Sequence, residues 1–161
     1  MTTLKPCPYP VTHLVPQAPP MVLIDEILGW NQDQVVTALT VRRDAVFAQD
    51  GGMPGHIALE WMAQSCAALV GLRAIEEQQP VRIGFILGTR DFVSTVSWYD
   101  FGDRLTVTAT CTYNGGEMAQ FDCRLDREQQ TCATARLTVF QPNDLAGMLK
   151  SQGVAAVSAL T

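Results

Sequence analysis

Apolar and polar residues alternate with a period of two in three late segments of the chain. In "DRLTVTATCTY" (103–113), Leu105, Val107, Ala109, Cys111 and Tyr113 fall on one side and threonines on the other. That pattern predicts a strand with one face buried and one wet. "AQFDCRLD" (119–126) repeats it with Ala119, Phe121, Cys123 and Leu125 inward, and "TCATARLTVF" (131–140) does so again. Asn114-Gly115-Gly116 marks a hairpin between the first two strands, and Arg127 to Gln130 a turn between the second and third. Upstream, "VRIGFILGTRDFVSTVSW" (81–98) reads as one long strand, with Gly84 and Gly88 as bends or points of close approach. "MVLIDEILGW" (21–30) and "QVVTALTV" (34–41) are β-compatible and are joined by the turn Asn31-Gln32-Asp33.

The period changes in "GGMPGHIALEWMAQ" (51–64), after a loop over residues 42 to 53. Pro54 suits a first helical turn, and the Glu-Glu-Gln-Gln-Pro cluster ending at Pro80 is a stop, so a helix is predicted over about 54–77. Ala, Met, Leu, Trp and Cys occupy nearly every face of this rod of roughly 35 Å. It is therefore expected to be wrapped by other elements and not laid on a surface. Residues 1–20 form a proline-rich lead-in, and 143–161 a short amphipathic helix with a loose tail. No internal repeat or second domain is visible, so residues 1–161 read as a single domain. The order of elements predicts an α+β fold, a curved antiparallel sheet wrapped around one long central helix. This is the hot-dog arrangement, and its edge strands need partners, so a homodimer or larger homo-oligomer is expected.

Composition narrows the function classes. The chain is 47% hydrophobic and 17% charged, as folded globular proteins are. A net charge of -5 argues against nucleic acid or an anionic membrane as partner. The five cysteines are odd in number and lack C-x-x-C spacing, which favours reduced thiols in a cytoplasmic protein over disulfides or zinc. The lead-in is crowded with prolines and has no signal-peptide apolar core. Trp61 to Leu72, the longest charge-free apolar run near the middle, is too short for a membrane span.

His56, Glu60 and Gln64 are spaced i, i+4, i+8 along one helical face. Glu60 has Leu59, Trp61, Met62 and Ala63 as chain neighbours, so an enclosed, apolar site is expected around it. A carboxyl kept partly neutral by desolvation can donate a proton near neutral pH; otherwise Glu60 serves helix register or faces solvent. His56 is a candidate base or a residue that merely packs. Gln64 is expected to hydrogen-bond Glu60, the substrate, or a backbone group. Gly55 and the neighbouring first-turn amides offer N–H donors for a thioester carbonyl, and Gly52 and Gly55 allow close approach or simply serve turn geometry. Arg90 is a candidate phosphate or substrate contact, or the partner of Asp91 in an ion pair. His13 reads as a surface or capping residue, Cys66 as packing, and Phe85, Phe92 and Trp98 as core or tunnel lining. No metal cluster or phosphate loop is evident.

The segments "PPMVLIDEI" (19–27), "GGMPGHIALEWMAQ" (51–64), "VRIGFILGTRDF" (81–92), "FGDRLTV" (101–107) and "ARLTVFQP" (135–142) carry a resemblance. Over roughly residues 9–142 the chain resembles the hot-dog 3-hydroxyacyl-[acyl-carrier-protein] dehydratases, and among them the branch associated with aryl-polyene lipid biosynthesis. The resemblance implies dehydration of a 3-hydroxyacyl thioester presented on the phosphopantetheine of acyl carrier protein, with no cofactor of its own. The acid at the position of Glu60 protonates the leaving 3-hydroxyl, and a histidine from a His-Phe-Pro run on the other protomer takes the C2 proton. Here that run is Val46-Phe47-Ala48, and Pro16-Gln17 stands where relatives tend to read Pro-His. Two further readings therefore stand: a thioesterase with Glu60 activating water, and a non-catalytic subunit supporting a second dehydratase-like chain. Docking of an acidic carrier would use a local basic spot, Arg42-Arg43 or Arg90.

Overall fold

The computed structural model describes residues 3–153. Its elements run β1 (Glu26–Trp30), β2 (Gln34–Thr40), β3 (Gly52–Pro54), a 3₁₀ turn (Gly55–Ile57), α1 (Ala58–Glu76), β4 (Phe85–Ser94), β5 (Trp98–Asp100), β6 (Arg104–Asn114), β7 (Met118–Arg127), β8 (Gln130–Phe140) and α2 (Leu145–Ser151). Six strands form one antiparallel sheet in the order β1-β2-β6-β7-β8-β4, and β3 pairs with β5 apart from it. The sheet curls round α1, as the alternation and the apolar rod predict.

The inward residues of the late strands explain that curl. Leu105, Val107, Ala109, Phe121, Cys123, Leu125, Ala133, Ala135 and Leu137 are buried, facing Trp61, Met62, Cys66, Leu69 and Leu72 of α1. Removing this much apolar surface from water is the main source of stability. Two polar groups inside are satisfied: Ser65 Oγ donates to the Trp61 carbonyl at 2.8 Å and lies 2.7 Å from Thr37 Oγ1. The helix is not covered evenly. Glu60, Ala63, Ala67 and Val70 form a stripe that remains only half-buried.

Several boundaries differ from the sequence pattern, each for a local reason. Residues 21–25 precede β1 and run as an extended segment tied to α1. The long strand expected over 81–98 is two strands, because the chain leaves β4 after Ser94 and crosses to β3. Pro54 ends β3 and precedes the 3₁₀ turn, so the helix proper starts at Ala58. Tyr113 is 57% exposed and not inward, since a bulge between Cys111 and Tyr113 shifts the register against β7. The β7–β8 turn contains no glycine, yet Glu128 and Gln129 both adopt left-handed conformations with φ of 51° and 67°. Residues 154–161, part of the expected tail, lie outside the described residues.

β4 is the exposed margin of the sheet. One side pairs with β8, with irregularities between Ile86 and Gly88 and between Arg90 and Val93. Among the described residues no strand covers its other side. Leu87 and Val93 there are each 57% exposed. An uncovered apolar strand edge is a pairing surface.

Candidate active site

The site is built where three segments meet: the strand Gly52–Pro54, the start of α1, and the extended stretch before β1. Gly52 lies against β5 so closely that an added Cβ would stand 2.0 Å from the Tyr99 carbonyl oxygen. Gly55 is packed the same way, and a methyl group on its Cα would come within 2.7 Å of the Val96 carbonyl oxygen. Its N–H donates to the Ser97 carbonyl at 2.8 Å. The expectation that the Gly55 amide serves a thioester carbonyl is therefore corrected: that donor is already used. Gly52 and Gly55 fix the approach of the chain to α1.

Gln64 does more than the spacing suggested. It is fully buried. Its Oε1 accepts the Leu23 N–H at 2.8 Å, and its Nε2 donates to the Met21 carbonyl at 2.7 Å and to Glu60 Oε1 at 3.1 Å. One amide thus stitches residues 21–23 to the helix and aims the Glu60 carboxyl. The surroundings of Glu60 differ from expectation. Trp61 and Met62 turn into the core while Glu60 lies half-buried in the first turn of α1, because adjacent helical residues point about 100° apart. A first-turn carboxylate also suits the positive end of a helix.

His56 is exposed in the 3₁₀ turn ahead of Glu60. The loop where relatives carry histidine presents Val46, 42% exposed, and Phe47; neither can take a proton. A cleft of about 430 Å³ is lined by Val22, Leu23, Met53 and Trp61, but not by Glu60 or His56. A smaller cavity of about 70 Å³ follows the half-buried stripe of α1, walled by Gln17, Ala63, Ala67, Val70, Gly84 and Ile86.

Arg90 is not gathered into this cluster. On β4 it stands opposite Arg136, whose exposed side chain alternates with buried Ala135 and Leu137, so it lies on the sheet face away from α1. The Arg90–Asp91 ion pair is not formed: Asp91 sits at the irregularity with φ of 55°, while Arg136 pairs with Asp122 at 2.9 Å. Arg42 is engaged by Asp25 at 3.2 Å and Asp44 at 3.6 Å, and Arg43 stacks 4.7 Å over Phe101. Cys66 faces Cys123 at 3.6 Å, and burial, with that neighbour second, pushes its thiol well up. His13 is exposed at the end of a 3₁₀ turn. No described helix is long and apolar enough to cross a membrane.

A curved antiparallel sheet curled on one long helix defines the hot-dog class of folds. Within that class the chain belongs to the ApeP-like dehydratase family, whose model, described as ApeP dehydratase, matches residues 9–150. It is similar to the dehydratase heterocomplex ApeI:P from Xenorhabdus doucetiae, at 26% identity and TM-score 0.83, covering 89% of this chain and 97% of that one. It shares the fold, at 17% identity and TM-score 0.56, with a hypothetical thioesterase with coenzyme A from Streptococcus pneumoniae, covering 73% of this chain and 84% of that one. The PaaI protein of the Escherichia coli phenylacetic acid degradation operon is likewise similar in fold, at 16% identity and TM-score 0.56, over 71% of this chain and 80% of that one. A search of curated proteins finds no significant match.

Proposed function

We propose that the protein dehydrates a 3-hydroxyacyl thioester, carried on acyl carrier protein, to the 2-enoyl form in aryl-polyene lipid synthesis. The observation that carries this reading is the Glu60 carboxyl, half-buried on α1 and aimed by the amide of Gln64. Glu60 gives a proton to the leaving 3-hydroxyl as the C3–O bond breaks, and a base removes the C2 proton, so that the double bond forms and one water leaves. His56, four residues ahead of Glu60 in the same helical path, is the base. Membership of a dehydratase family and the likeness to a dehydratase heterocomplex support the reaction class.

The site is open in one chain, and the uncovered β4 edge supports assembly with a second dehydratase-like chain, either a copy or a relative. Val46 at the place of the family histidine favours a second reading, in which that partner supplies the base and this chain supplies the acid or only support. Incubating the purified protein with a 3-hydroxyacyl carrier substrate, alone and with such a partner, and weighing the products separates these readings. Loss of one water by the protein alone supports His56 as base. Loss only with the partner supports a shared site. Release of free acid would make it a thioesterase, and the dehydratase reading would fall.

A further inference from the structure

The uncovered edge of the sheet carries a cation that no described residue pairs. Arg90 is exposed on β4, and among the described residues it has no hydrogen-bond or ion-pair partner. Directly across from it on β8 stands a second cation, Arg136. The nearby carboxylates serve that one: Asp122 pairs with Arg136 at 2.9 Å, and the charge of Asp91 acts on it as well. Guanidiniums opposite each other on one sheet face repel. The open side of β4 is therefore where an anion for Arg90 has room to enter.

A second copy supplies no such anion there. Two copies of β4 that continue one sheet, with both outer faces on the same side, are related by a two-fold axis normal to it, so outward residues meet outward residues. The regular run Gly88-Thr89-Arg90, between the two irregularities, is the middle of the strand and meets its own copy. With the axis at Arg90, the two guanidiniums are directly opposite; with the axis at Thr89, they are diagonal neighbours about 7–8 Å apart. Both arrangements bring Arg136 of each copy close to the same row, cation beside cation. We propose that Arg90 makes this edge select a different chain over a second copy: a dehydratase-like partner whose own edge strand brings an aspartate or glutamate to Arg90. Leu87 and Val93, each 57% exposed, supply an apolar attraction common to both partners, and the charge decides between them. This rests on the assembly through β4 proposed above and chooses between its two forms.

Association of the protein with its own variant tests that choice. Arg90→Glu stands for a partner that carries the carboxylate, and because the position is exposed its circular dichroism should match wild type. Sedimentation equilibrium at low salt is run on wild type, on Arg90→Gln, and on wild type mixed equally with Arg90→Glu. The mixture is expected to associate about tenfold more tightly than wild type alone, and Arg90→Gln, which only removes repulsion, about threefold more tightly. Both gains should shrink in about 1 M salt, where the screening length falls to about 3 Å. Adding Val93→Asn to each chain, an exposed and uncharged change on the same edge, should weaken every combination. Wild type that associates as tightly as the mixture, with Val93→Asn disrupting both, overturns the role of Arg90 and leaves assembly through β4 standing. No association in the mixture, or association indifferent to Val93→Asn, overturns that assembly and this inference with it. A protein that shows the charge preference but removes no water from substrate would sink the dehydratase function alone.

Discussion

Gln64 holds Glu60: its side-chain N–H donates to the Glu60 carboxyl at 3.1 Å while the rest of the same amide is fastened to Met21 and Leu23. The acid is thereby referenced to the segment before β1 as well as to its own helix. Gln64→Leu keeps the side chain's bulk but leaves the buried Leu23 N–H unpaired and removes the part-buried bond to the Met21 carbonyl. We expect a loss of about 2–4 kcal/mol in unfolding free energy by denaturant titration. Turnover should fall in the folded fraction as well, because Glu60 is released. Unchanged stability would show that the amide is dispensable.

Gly52 is required by contact. Since an added Cβ would stand 2.0 Å from the Tyr99 carbonyl oxygen, Gly52→Ala must push β3 off β5. The expected cost is about 2–4 kcal/mol. Calorimetry of the variant measures it, and a shift smaller than half a kcal/mol (about the noise of surface substitutions) would contradict the packing.

Tyr99 carries a pH dependence. It meets Trp61 edge to face at 5.3 Å, and its hydroxyl is buried without a partner while nearby Ser94 Oγ donates to the Val96 carbonyl. Burial first, then the neighbouring Cys132, pushes its ionisation up to about 12 from 10.0. The unfolded chain therefore loses the phenolic proton first, so stability is intact below pH 10 and falls as pH rises toward 12. Full titration removes on the order of 2 kcal/mol. Tyr99→Phe should be neutral or slightly stabilising at pH 7, and its stability should fall less steeply than wild type above pH 10. Parallel curves would refute the assignment.

How far the sequence carried the fold is visible at particular residues. Alternation in 103–113, 119–126 and 131–140 placed three strands within about a residue, since one wet face and one dry face leave a clear period. The central helix was legible from its apolar run and the polar cluster that stops it. The β4–β5 break, the bulge before Tyr113 and the left-handed pair Glu128-Gln129 were not, because tertiary pairing overrides local propensity there. At the site, the i, i+4 spacing anticipated the Gln64–Glu60 hydrogen bond but misjudged the setting of the acid: chain neighbours on a helix are not spatial neighbours. Gln17 was marked only as the residue standing where relatives tend to read histidine, and its unpaired buried oxygen is visible only in the structure. Arg90 was misplaced because nothing in the sequence says which face of β4 it occupies.

His56 is exposed, so His56→Ala should leave stability within about half a kcal/mol of wild type. As the base it should lower kcat by about 10²-fold or more, with KM little changed. Full activity in the variant would move the base to the partner chain.

Replacing the Glu60 carboxyl is the most direct measurement. Glu60→Gln preserves shape and helix propensity at a half-buried position, so the circular dichroism and melting curve should match wild type. The rate of water loss from a 3-hydroxyacyl carrier substrate should fall by about 10²–10⁴-fold. Turnover at the wild-type rate in a folded Glu60→Gln protein would contradict the assignment of Glu60 as the acid.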